Sequence, residues 1–449
     1  MGMCLKDFND TECSLKAALC SALNLVDPIK GPIISLSKTP RYNDEPLLFQ
    51  YFATFKRNGG LSQDENSQEN TAGGMSFSRE KAVMKTLGEA VERYCLASYE
   101  QRYLVHNSFD ESKPMLDPSS VVSIAPAQLK SKECSQFQFG KQEKFLWANG
   151  YSLTRNSALL IPAQLVYVPY YFDNEPVIRF PITTGAASGT SLSGAVIRGL
   201  CEVIERDAFM IFYLNKLTPP VLDLSNSKSD QLRNLPKIFK RYNLELYIFN
   251  ITTDIPVTSI MAMIIDKTGV GPAVTVGLKT ALDAKLAIIG AIEEAEQMRP
   301  WIRDELYLRG DILQTTQYGN LDLTERGLLW SKTSMIKHLN FFLKSKSNIA
   351  VDQFLKIQSM KMANDLESLI QNFKQMEMEV CCMDVTLPEV DKVGFKVVKV
   401  IVPQLQPLYL TEEFKYLGGS RLYTVPQKLG YKKTFSSEKE LNCIPHPFL

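Results

Sequence analysis

The sequence has few of the residues that build common metal and disulfide sites. Its 449 residues include only three histidines, His106, His338 and His446, which argues against a zinc site built on imidazole ligands. The nine cysteines are odd in number and include no C-x-x-C pair. This cysteine usage is typical of reduced intracellular thiols and argues against a disulfide framework.

Signals for export and for membrane insertion are also missing. The N-terminus, Met1–Cys13, has no basic start followed by an apolar core, so no secretory signal is predicted. No run of about 18 apolar residues is present, so no membrane span is predicted. The net charge of +1 gives no reason to expect a nucleic-acid or membrane partner. We therefore expect a cytoplasmic protein.

The familiar phosphate-binding motifs are absent as well. The sequence contains no G-x-x-x-x-G-K-[ST] loop, no G-x-G-x-x-G fingerprint and no kinase H-R-D or D-F-G motif. The nearest lookalike, Gly271–Thr280, has the wrong spacing and contains a predicted strand. A nucleotide, if bound, must be held by a different arrangement.

One string of residues occurs twice. The pattern L-x-E-x-x-E-R is found at Leu87–Arg93 and at Leu200–Arg206, and a looser copy lies at Glu294–Arg299. Positions i, i+3 and i+4 of a helix share one face, so the acidic and basic side chains of each string project together. The simplest interpretation is a solvated helix face with a Glu–Arg pair, which contributes roughly 0.3–0.5 kcal/mol.

The residues around the second string favour a buried site instead. Apolar residues cover most of the circumference of this helix, and such helices are normally buried. The remaining sector holds Arg198, Glu202, Glu205 and Arg206. Buried carboxylates repel each other unless a cation lies between them. Magnesium is the natural candidate because it combines carboxylates with nucleotide phosphates, and neighbouring arginines bind phosphate oxygens.

The pattern of the chain predicts an α+β protein. Hydrophobic residues make up 45% and charged residues 22%, as is usual for globular proteins. Helices are predicted at 78–99, 229–242, 281–299 and 353–377, besides the helix of the second string. Strands are predicted within 24–56 and 158–182 and at 244–251, 257–266, 380–387 and 395–402. Residues 58–74 are predicted to form a mobile loop, and the C-terminal stretch is predicted to be loop-like.

Three segments resemble the ATP-binding blocks of the YcaO family. They are residues 78–94, 183–210 and 287–299, in the expected order. Residues 25–36 resemble the family's N-terminal strand, and residues 402–431 resemble the C-terminal region of its azoline-forming cyclodehydratase branch. The resemblance implies a YcaO-type ATP-binding fold, in which mixed β-sheets pack with helices that carry the E-x-x-E-R motifs. It also implies one domain over 1–449, with the blocks in 24–310 and a C-terminal part in 311–449.

The resemblance implies ATP and Mg²⁺ as cofactors and assigns roles to individual residues. The implied magnesium ligands are Glu89, Glu92, Glu202 and Glu205. The implied nucleotide-binding residues are Lys30, Ser35, Arg93, Arg198, Arg206, Glu294 and Gln297. The sequence departs from the family pattern at Thr184, Gly290 and Lys85, where many members have Asn, Arg and Ser. Arg198 or Lys85 could bind phosphate in place of the arginine that many members have at the position of Gly290.

The C-terminus carries a weaker signature. Cyclodehydratase members resemble one another in ending P-x-P-x-P, whereas this chain ends Pro445-x-Pro447-x-Leu449. One interpretation is a mobile tail. The other is an extended rod that places the carboxylate of Leu449 in the active site, with His446 moving protons at a near-neutral pKa or acting only as a spacer.

The resemblance predicts an ATP-dependent cyclodehydratase. Such an enzyme phosphorylates backbone amides of a ribosomal precursor peptide and converts its Cys, Ser or Thr residues to thiazolines or oxazolines. The implied partners are the precursor peptide, a ThiF-like leader-binding protein, an FMN-dependent dehydrogenase and a second copy of the chain. Two alternatives remain open: thioamide or amidine formation, and a non-catalytic subunit that binds nucleotide or peptide.

Overall fold

The computed structural model describes residues 10–56, 70–309, 321–361 and 365–449. The chain forms two compact units. Unit 1 comprises residues 1–39, 49–203 and 365–405, and unit 2 comprises residues 40–48, 204–364 and 406–449. The single domain expected over 1–449 stays a prediction.

The α-helices are one of the two kinds of element in this α+β fold. In chain order they are α1 (Leu15–Leu23), α2 (Arg79–Leu96), α3 (Leu192–Leu214), α4 (Asp230–Lys240), α5 (Ala284–Arg309), α6 (Leu323–Trp330), α7 (Asn340–Leu343), α8 (Val351–Lys361), α9 (Leu366–Gln375), α10 (Pro388–Asp391) and α11 (Ser420–Lys428). None of the helices in the described ranges is both long enough and apolar enough to cross a membrane.

The β-strands are short and mostly antiparallel. In chain order they are β1 (Ile33–Lys38), β2 (Phe49–Phe55), β3 (Thr71–Ser76), β4 (Val105–Ser108), β5 (Lys144–Ser152), β6 (Ser157–Pro162), β7 (Ala186–Gly189), β8 (Val221–Asp223), β9 (Leu244–Asn250), β10 (Thr258–Asp266), β11 (Val274–Ala281), β12 (Asn348–Ala350), β13 (Cys381–Asp384) and β14 (Lys396–Ile401).

Unit 1 contains two sheets among its described residues. One is antiparallel with the order β1-β2-β3, and the other has the order β4-β5-β13-β14-β7, with β6 paired to β5. Helix α2 packs against β2 and β3. A Cβ atom built on Gly74 would lie 2.6 Å from the backbone nitrogen of Thr86, so glycine permits this close approach of strand and helix.

Unit 2 is built on one sheet among its described residues, with the order β11-β10-β9-β8-β12. The pairs are antiparallel except for β8 with β12. Helix α5 packs against β11 and β10, where a Cβ atom on Gly277 would lie 2.2 Å from both Ala291 O and Ala295 N. The whole of β10, the second strand of this sheet, is buried in the core of unit 2.

The three helices that carry the repeated strings share one local arrangement. Each follows a strand that lies at the end of its sheet in the described residues: β3 precedes α2, β7 precedes α3, and β11 precedes α5. An edge strand presents one row of backbone N–H and C=O groups that no neighbouring strand can satisfy. Two of the three helices also pack on the edge strand that precedes them, α2 on β3 and α5 on β11.

The strand predicted in the second half of 158–182 is wrong. Strand β6 covers the start of this range, but the described residues 163–182 form no strand. Two of their backbone groups bond to the buried side chain of Gln164: Ile178 N donates to Gln164 Oε1 at 2.7 Å, and the Gln164 amide donates to Pro176 O at 3.0 Å.

The predicted mobile loop at 58–74 is partly wrong. Residues 71–74 belong to β3 and pair with β2, and the rest of the prediction, apart from Asn70, lies outside the described residues. The C-terminal stretch is also less irregular than expected, because it contains α11. Arg421 fixes this helix by pairing with Asp207 and Asp254, both at 2.7 Å.

Two predicted helix boundaries are also wrong. The helix predicted at 353–377 is two helices, α8 and α9, because Asp365 caps the second one by accepting from Ser368 N at 2.7 Å. Helix α5 does not stop before Pro300 but continues to Arg309. The residues beyond the proline are held by buried Ile302 and by an Arg309–Glu305 pair at 2.6 Å.

Candidate functional site

The first glutamate of each string accepts a hydrogen bond from the backbone beside its own helix. The pairs are Gly73 N with Glu89, Gly185 N with Glu202 and Leu278 N with Glu294, at 2.9, 3.0 and 2.5 Å. The separations along the chain are 16, 17 and 16 residues. The strings are therefore a structural repeat as well as a sequence repeat: strand, turn, helix, and a carboxylate that returns to the strand or to the turn just before it.

The second glutamate reaches the edge strand that precedes the next string. Ser188 N in β7 donates to Glu92 at 2.8 Å, and Thr280 N in β11 donates to Glu205 at 2.6 Å. In the third string this position is Gln297. The carboxylates thus accept hydrogen bonds from backbone N–H groups of strands and of a turn. The simplest interpretation, a solvated helix face, is wrong for Glu205 and Arg206, which are buried. In the first string the expected Glu–Arg pair does form, between Glu89 and Arg93.

Three of the predicted metal ligands gather in unit 1. Burial raises the pKa of Glu92 to about 7, and the carboxylates of Glu202 and Glu89 raise it further, against the opposing hydrogen bond from Ser188 N. An acid whose pKa is raised by neighbouring carboxylates is one that a bound cation would stabilise in its charged form. The donor set of Glu89, Glu92 and Glu202 therefore fits a divalent cation.

The carboxylates do not form a complete metal cage on their own. In the described part of the chain, no group of three or more His, Cys, Asp or Glu side chains is arranged to hold a metal ion. Magnesium usually takes only one or two carboxylates and completes its shell with phosphate oxygens and water, so the arrangement fits Mg²⁺ bound together with a nucleotide.

The predicted nucleotide contacts of unit 1 have other partners. Arg93 pairs with Glu89 at 2.7 Å, one helical turn away. Arg198 pairs with Glu12 at 2.5 Å and donates to Ser188 O at 2.9 Å. Lys30 is exposed in the turn before β1, and Ser35 lies partly buried within β1. Their roles as nucleotide contacts stay predictions.

Unit 2 contains Glu205, Arg206, Glu294 and Gln297. Glu205 and Arg206 are buried, as the apolar pattern around the second string predicts. The guanidinium of Arg206 lies 3.5 Å from the Glu205 carboxylate, and its Cζ atom is 4.2 Å from the centre of the Phe448 ring. This stacking on an aromatic face holds the guanidinium plane in one orientation.

Phe448 belongs to the C-terminal tail, which is not mobile. Pro445, His446, Pro447 and Phe448 are all buried. The carbonyl oxygen of Pro445 accepts from Trp330 Nε1 at 3.0 Å and from the Tyr213 hydroxyl at 2.9 Å. A mobile tail is therefore the wrong interpretation. The tail brings Phe448, which the sequence analysis did not single out, to a predicted phosphate-binding arginine.

His446 does not have the near-neutral pKa expected of a proton carrier. It is fully buried, with Nε2 3.0 Å from Tyr409 O and 3.2 Å from Arg326 Nη1. Burial lowers its pKa well below the usual value of 6.5, and the charge of Arg326 lowers it further. The imidazole is thus neutral at physiological pH, and the spacer interpretation fits it better.

This lowered pKa predicts that acid weakens the fold. The unfolded chain takes up a proton at His446 as the pH falls through 6.5, whereas the folded chain does not, so the free energy of unfolding decreases. Between pH 7 and pH 5 the decrease from this group is roughly 2 kcal/mol. Denaturant unfolding of the wild type and of His446→Gln at both pH values measures it. An equal pH dependence in the two proteins would contradict the assignment.

Lys399 is a second residue that the sequence analysis did not single out. It is buried in β14 and donates to Ile182 O at 2.5 Å and to Thr184 O at 2.8 Å. Burial lowers the pKa of Lys399 to about 7, against the opposing charge of Glu202. The lysine holds the turn that presents Gly185 N to Glu202. A lysine in an apolar strand pattern gives no sign of this role.

Comparison with known proteins identifies the family. Residues 73–406 match the family model described as YcaO cyclodehydratase, ATP- and Mg²⁺-binding. The chain belongs to the YcaO family. This confirms the resemblance found in the sequence and the predicted cofactors, ATP and Mg²⁺. It also places the chain in a family of ATP-dependent enzymes.

One relative and two solved structures show how far the likeness extends. An uncharacterised protein of Methanothermobacter thermautotrophicus is 27% identical over 340 residues, which are 74% of this chain and 81% of that protein. A heterocyclase in complex with substrate and cofactor matches 99% of this chain with a TM-score of 0.78 and 20% identity. The YcaO protein of Methanopyrus kandleri bound with AMPPCP and Mg²⁺ matches 88% of this chain and 92% of its own, with a TM-score of 0.60 and 18% identity.

These likenesses confirm the predicted α+β YcaO-type fold. The chain spans 60% of the length of the heterocyclase that it matches.

Proposed function

We propose that this YcaO protein is an ATP-dependent cyclodehydratase. It activates backbone amides of a ribosomal precursor peptide by phosphorylation and converts Cys, Ser or Thr residues to thiazolines or oxazolines. The observation that carries the proposal is the set of motif carboxylates, each bound to a backbone N–H group, in a chain of a family described as ATP- and Mg²⁺-binding cyclodehydratases.

The proposed roles follow from the donor chemistry of each unit. Glu89, Glu92, Glu202 and Glu205 are the proposed magnesium ligands. Arg206 is the proposed contact to the transferring phosphoryl group, because a stacked guanidinium is a fixed, bidentate donor for phosphate oxygens. Glu294 and Gln297 are proposed to complete the nucleotide contacts. Bound Mg²⁺ would neutralise charge on the phosphates.

The reaction that this arrangement serves is proposed to begin on the peptide. A Cys thiol or a Ser or Thr hydroxyl attacks the carbon of the preceding amide and forms a five-membered ring. The former amide oxygen then takes the γ-phosphoryl group of ATP, which leaves ADP. Loss of phosphate and of the nitrogen-bound proton forms the C=N bond. The positive charge of Arg206 stabilises the negative charge that develops on the phosphoryl oxygens.

The end of the tail is proposed to lie close to the reaction. Phe448 contacts Arg206, so the segment from Pro445 to Leu449 extends to the proposed phosphate contact. Pro445 and Pro447 would stiffen this segment, and the carboxylate of Leu449 would accept a proton during ring closure. His446 would position the tail and would not carry the proton.

The proposed partners are separate proteins. They are the precursor peptide, a ThiF-like protein that binds its leader, and an FMN-dependent dehydrogenase that oxidises the rings. A homodimer is a further proposal. The likeness to a heterocyclase solved with its substrate supports a peptide as the molecule acted upon.

The test uses the purified chain with ATP, Mg²⁺, and a Cys- or Ser/Thr-rich peptide and ThiF-like protein encoded beside its gene. We expect peptide-dependent phosphate release and loss of one water mass for each ring formed. A product peptide in which an amide oxygen has been replaced by sulfur would favour thioamide formation. A product in which it has been replaced by nitrogen would favour amidine formation. ATP binding without peptide-dependent phosphate release would favour the non-catalytic subunit.

A further inference from the structure

Lys279 stands out on strand β11. Every other residue from Val274 to Thr280 is buried, whereas Lys279 is exposed. Its two neighbours in the strand, Leu278 and Thr280, donate their backbone N–H groups to Glu294 and Glu205. The exposed lysine therefore lies between the two backbone groups that bind the motif carboxylates of unit 2.

The lysine stem crosses helix α5 at a glycine. A Cβ atom built on Gly290 would lie 2.8 Å from Cγ, 3.2 Å from Cδ and 3.3 Å from Cβ of Lys279. Gly277, two residues earlier in the strand, faces the same helix at Ala291 and Ala295. Side chains two residues apart in a strand share a face, so Lys279 points to α5 as Gly277 does. A side chain at position 290 would displace the lysine stem.

Gly290 also shares a helix face with Glu294. The two residues are four positions apart in α5, and residues at this spacing lie one above the other. The stem of Lys279 consequently lies along the face of α5 that carries Glu294. Lys279 is an exposed residue, so a ligand that reaches this face can meet its side chain.

We propose that Lys279 binds phosphate oxygens of the nucleoside triphosphate, and that Gly290 is the opening through which it reaches them. This rests on the proposed function, in which Glu205, Arg206 and Glu294 contact the nucleotide. Lysine acts on phosphate as a point charge on a flexible stem, so it needs no fixed geometry beyond access. In this arrangement the cation is Lys279, on the strand. A basic residue at position 290 would place the cation on the helix instead.

A simpler explanation is that Lys279 only covers apolar surface. Lysine stems commonly pack on apolar neighbours while the ammonium stays in water. The two explanations differ in what the charge does. Under the simpler one, an uncharged stem of the same length is an equivalent replacement. Under the proposal, the charge is required for polyphosphate and is irrelevant to adenosine.

The experiment measures binding of a non-hydrolysable ATP analogue with Mg²⁺, and of adenosine, by calorimetry on the full chain. Lys279→Met keeps the packing and removes the charge, and we expect it to weaken binding of the analogue about tenfold or more and to leave adenosine unchanged. Lys267→Met is the matched control. It removes a charge that pairs with Glu245 near the opposite end of β10, and we expect no change.

A swap of the two positions makes the test sharper. Gly290→Arg alone crowds the Lys279 stem, so we expect weaker binding of the analogue. Lys279→Ala with Gly290→Arg removes the crowding and places a cation on the helix, so we expect binding to return to within about threefold of the wild type.

The outcomes separate this proposal from the proposed function. Wild-type affinity in Lys279→Met, with the wild type binding the analogue, would overturn the role of Lys279 alone. Equal weakening for analogue and adenosine would overturn it too, because that result indicates altered packing. A wild type that binds neither would contradict the proposed function itself.

Discussion

Glu202→Gln is expected to abolish ATP-dependent turnover and to leave the fold intact. Glutamine has nearly the same shape as glutamate and retains an oxygen that can accept from Gly185 N, as Glu202 does at 3.0 Å. The fold therefore loses little. The proposed magnesium site loses a carboxylate ligand, and Lys399 loses the nearby charge that opposes its lowered pKa. We expect turnover to fall by about two orders of magnitude or more.

The matched control is Glu111→Gln, which makes the same charge change at an exposed position of unit 1. We expect wild-type turnover and wild-type thermal stability from this control. Phosphate release and the melting temperature are measured for both variants. Wild-type turnover in Glu202→Gln would contradict the assignment of the motif carboxylates as magnesium ligands. A large fall in melting temperature would show that the residue serves the fold first.

Deletion of Pro447–Leu449 is expected to slow cyclisation more than it weakens nucleotide binding. The deletion removes the Phe448 ring from Arg206 but leaves Glu205 beside the guanidinium at 3.5 Å. Arg206 therefore keeps its charge near the site and loses its fixed orientation. Orientation matters most in the transition state, where charge develops on the phosphoryl oxygens. We expect at least a tenfold lower rate and only a few-fold weaker binding of the ATP analogue.

Phe448→Leu separates the stacking from the burial of the tail. Leucine keeps apolar bulk at this position and removes the aromatic face, so we expect part of the rate loss with little loss of stability. His446→Gln serves as a comparison because it alters the tail at a residue that does not stack on Arg206. Equal losses of turnover and of nucleotide affinity in the deletion, together with a lower melting temperature, would indicate a purely structural tail.

The helices of the site follow from local patterns in the sequence. The apolar circumference around Glu202 predicts a buried helix, and α3 is buried over most of its length. The helix predicted to begin at residue 78 is α2, and the Ser78 hydroxyl caps it by accepting from Lys81 N. These features depend on residues within one or two turns of each other, which is why the sequence is sufficient to predict them.

The partners of the carboxylates depend on distant parts of the chain and could not be predicted. Glu92 binds a backbone group 96 residues away, and Glu205 binds one 75 residues away. Strand pairing decides which strands lie at a sheet edge. The pattern of residues along a helix contains no information about strand pairing. The hydrogen bond to the first glutamate from the backbone 16 or 17 residues earlier can be recognised only in the structure, where nearly the same spacing recurs in all three strings.

The tail shows the same limit. Two prolines predict an extended segment, but its burial depends on Trp330 and Tyr213, which reach it from elsewhere in unit 2. The lowered pKa of His446 follows from that burial, so the sequence alone left both a proton carrier and a spacer open, whereas the structure has a neutral, buried ring. No pattern in the sequence indicates a role for Phe448, because a phenylalanine near a chain end is common.

Magnesium-dependent binding of a non-hydrolysable ATP analogue to the full chain is the decisive measurement for the proposed metal–nucleotide site. Calorimetry with and without Mg²⁺, on the wild type and on Glu202→Gln, measures whether the motif carboxylates hold a metal–nucleotide pair. We predict one analogue bound by each chain, binding that requires Mg²⁺ in the wild type, and at least tenfold weaker binding in the variant. Absence of binding to the wild type, or equal affinity with and without Mg²⁺, would contradict the account.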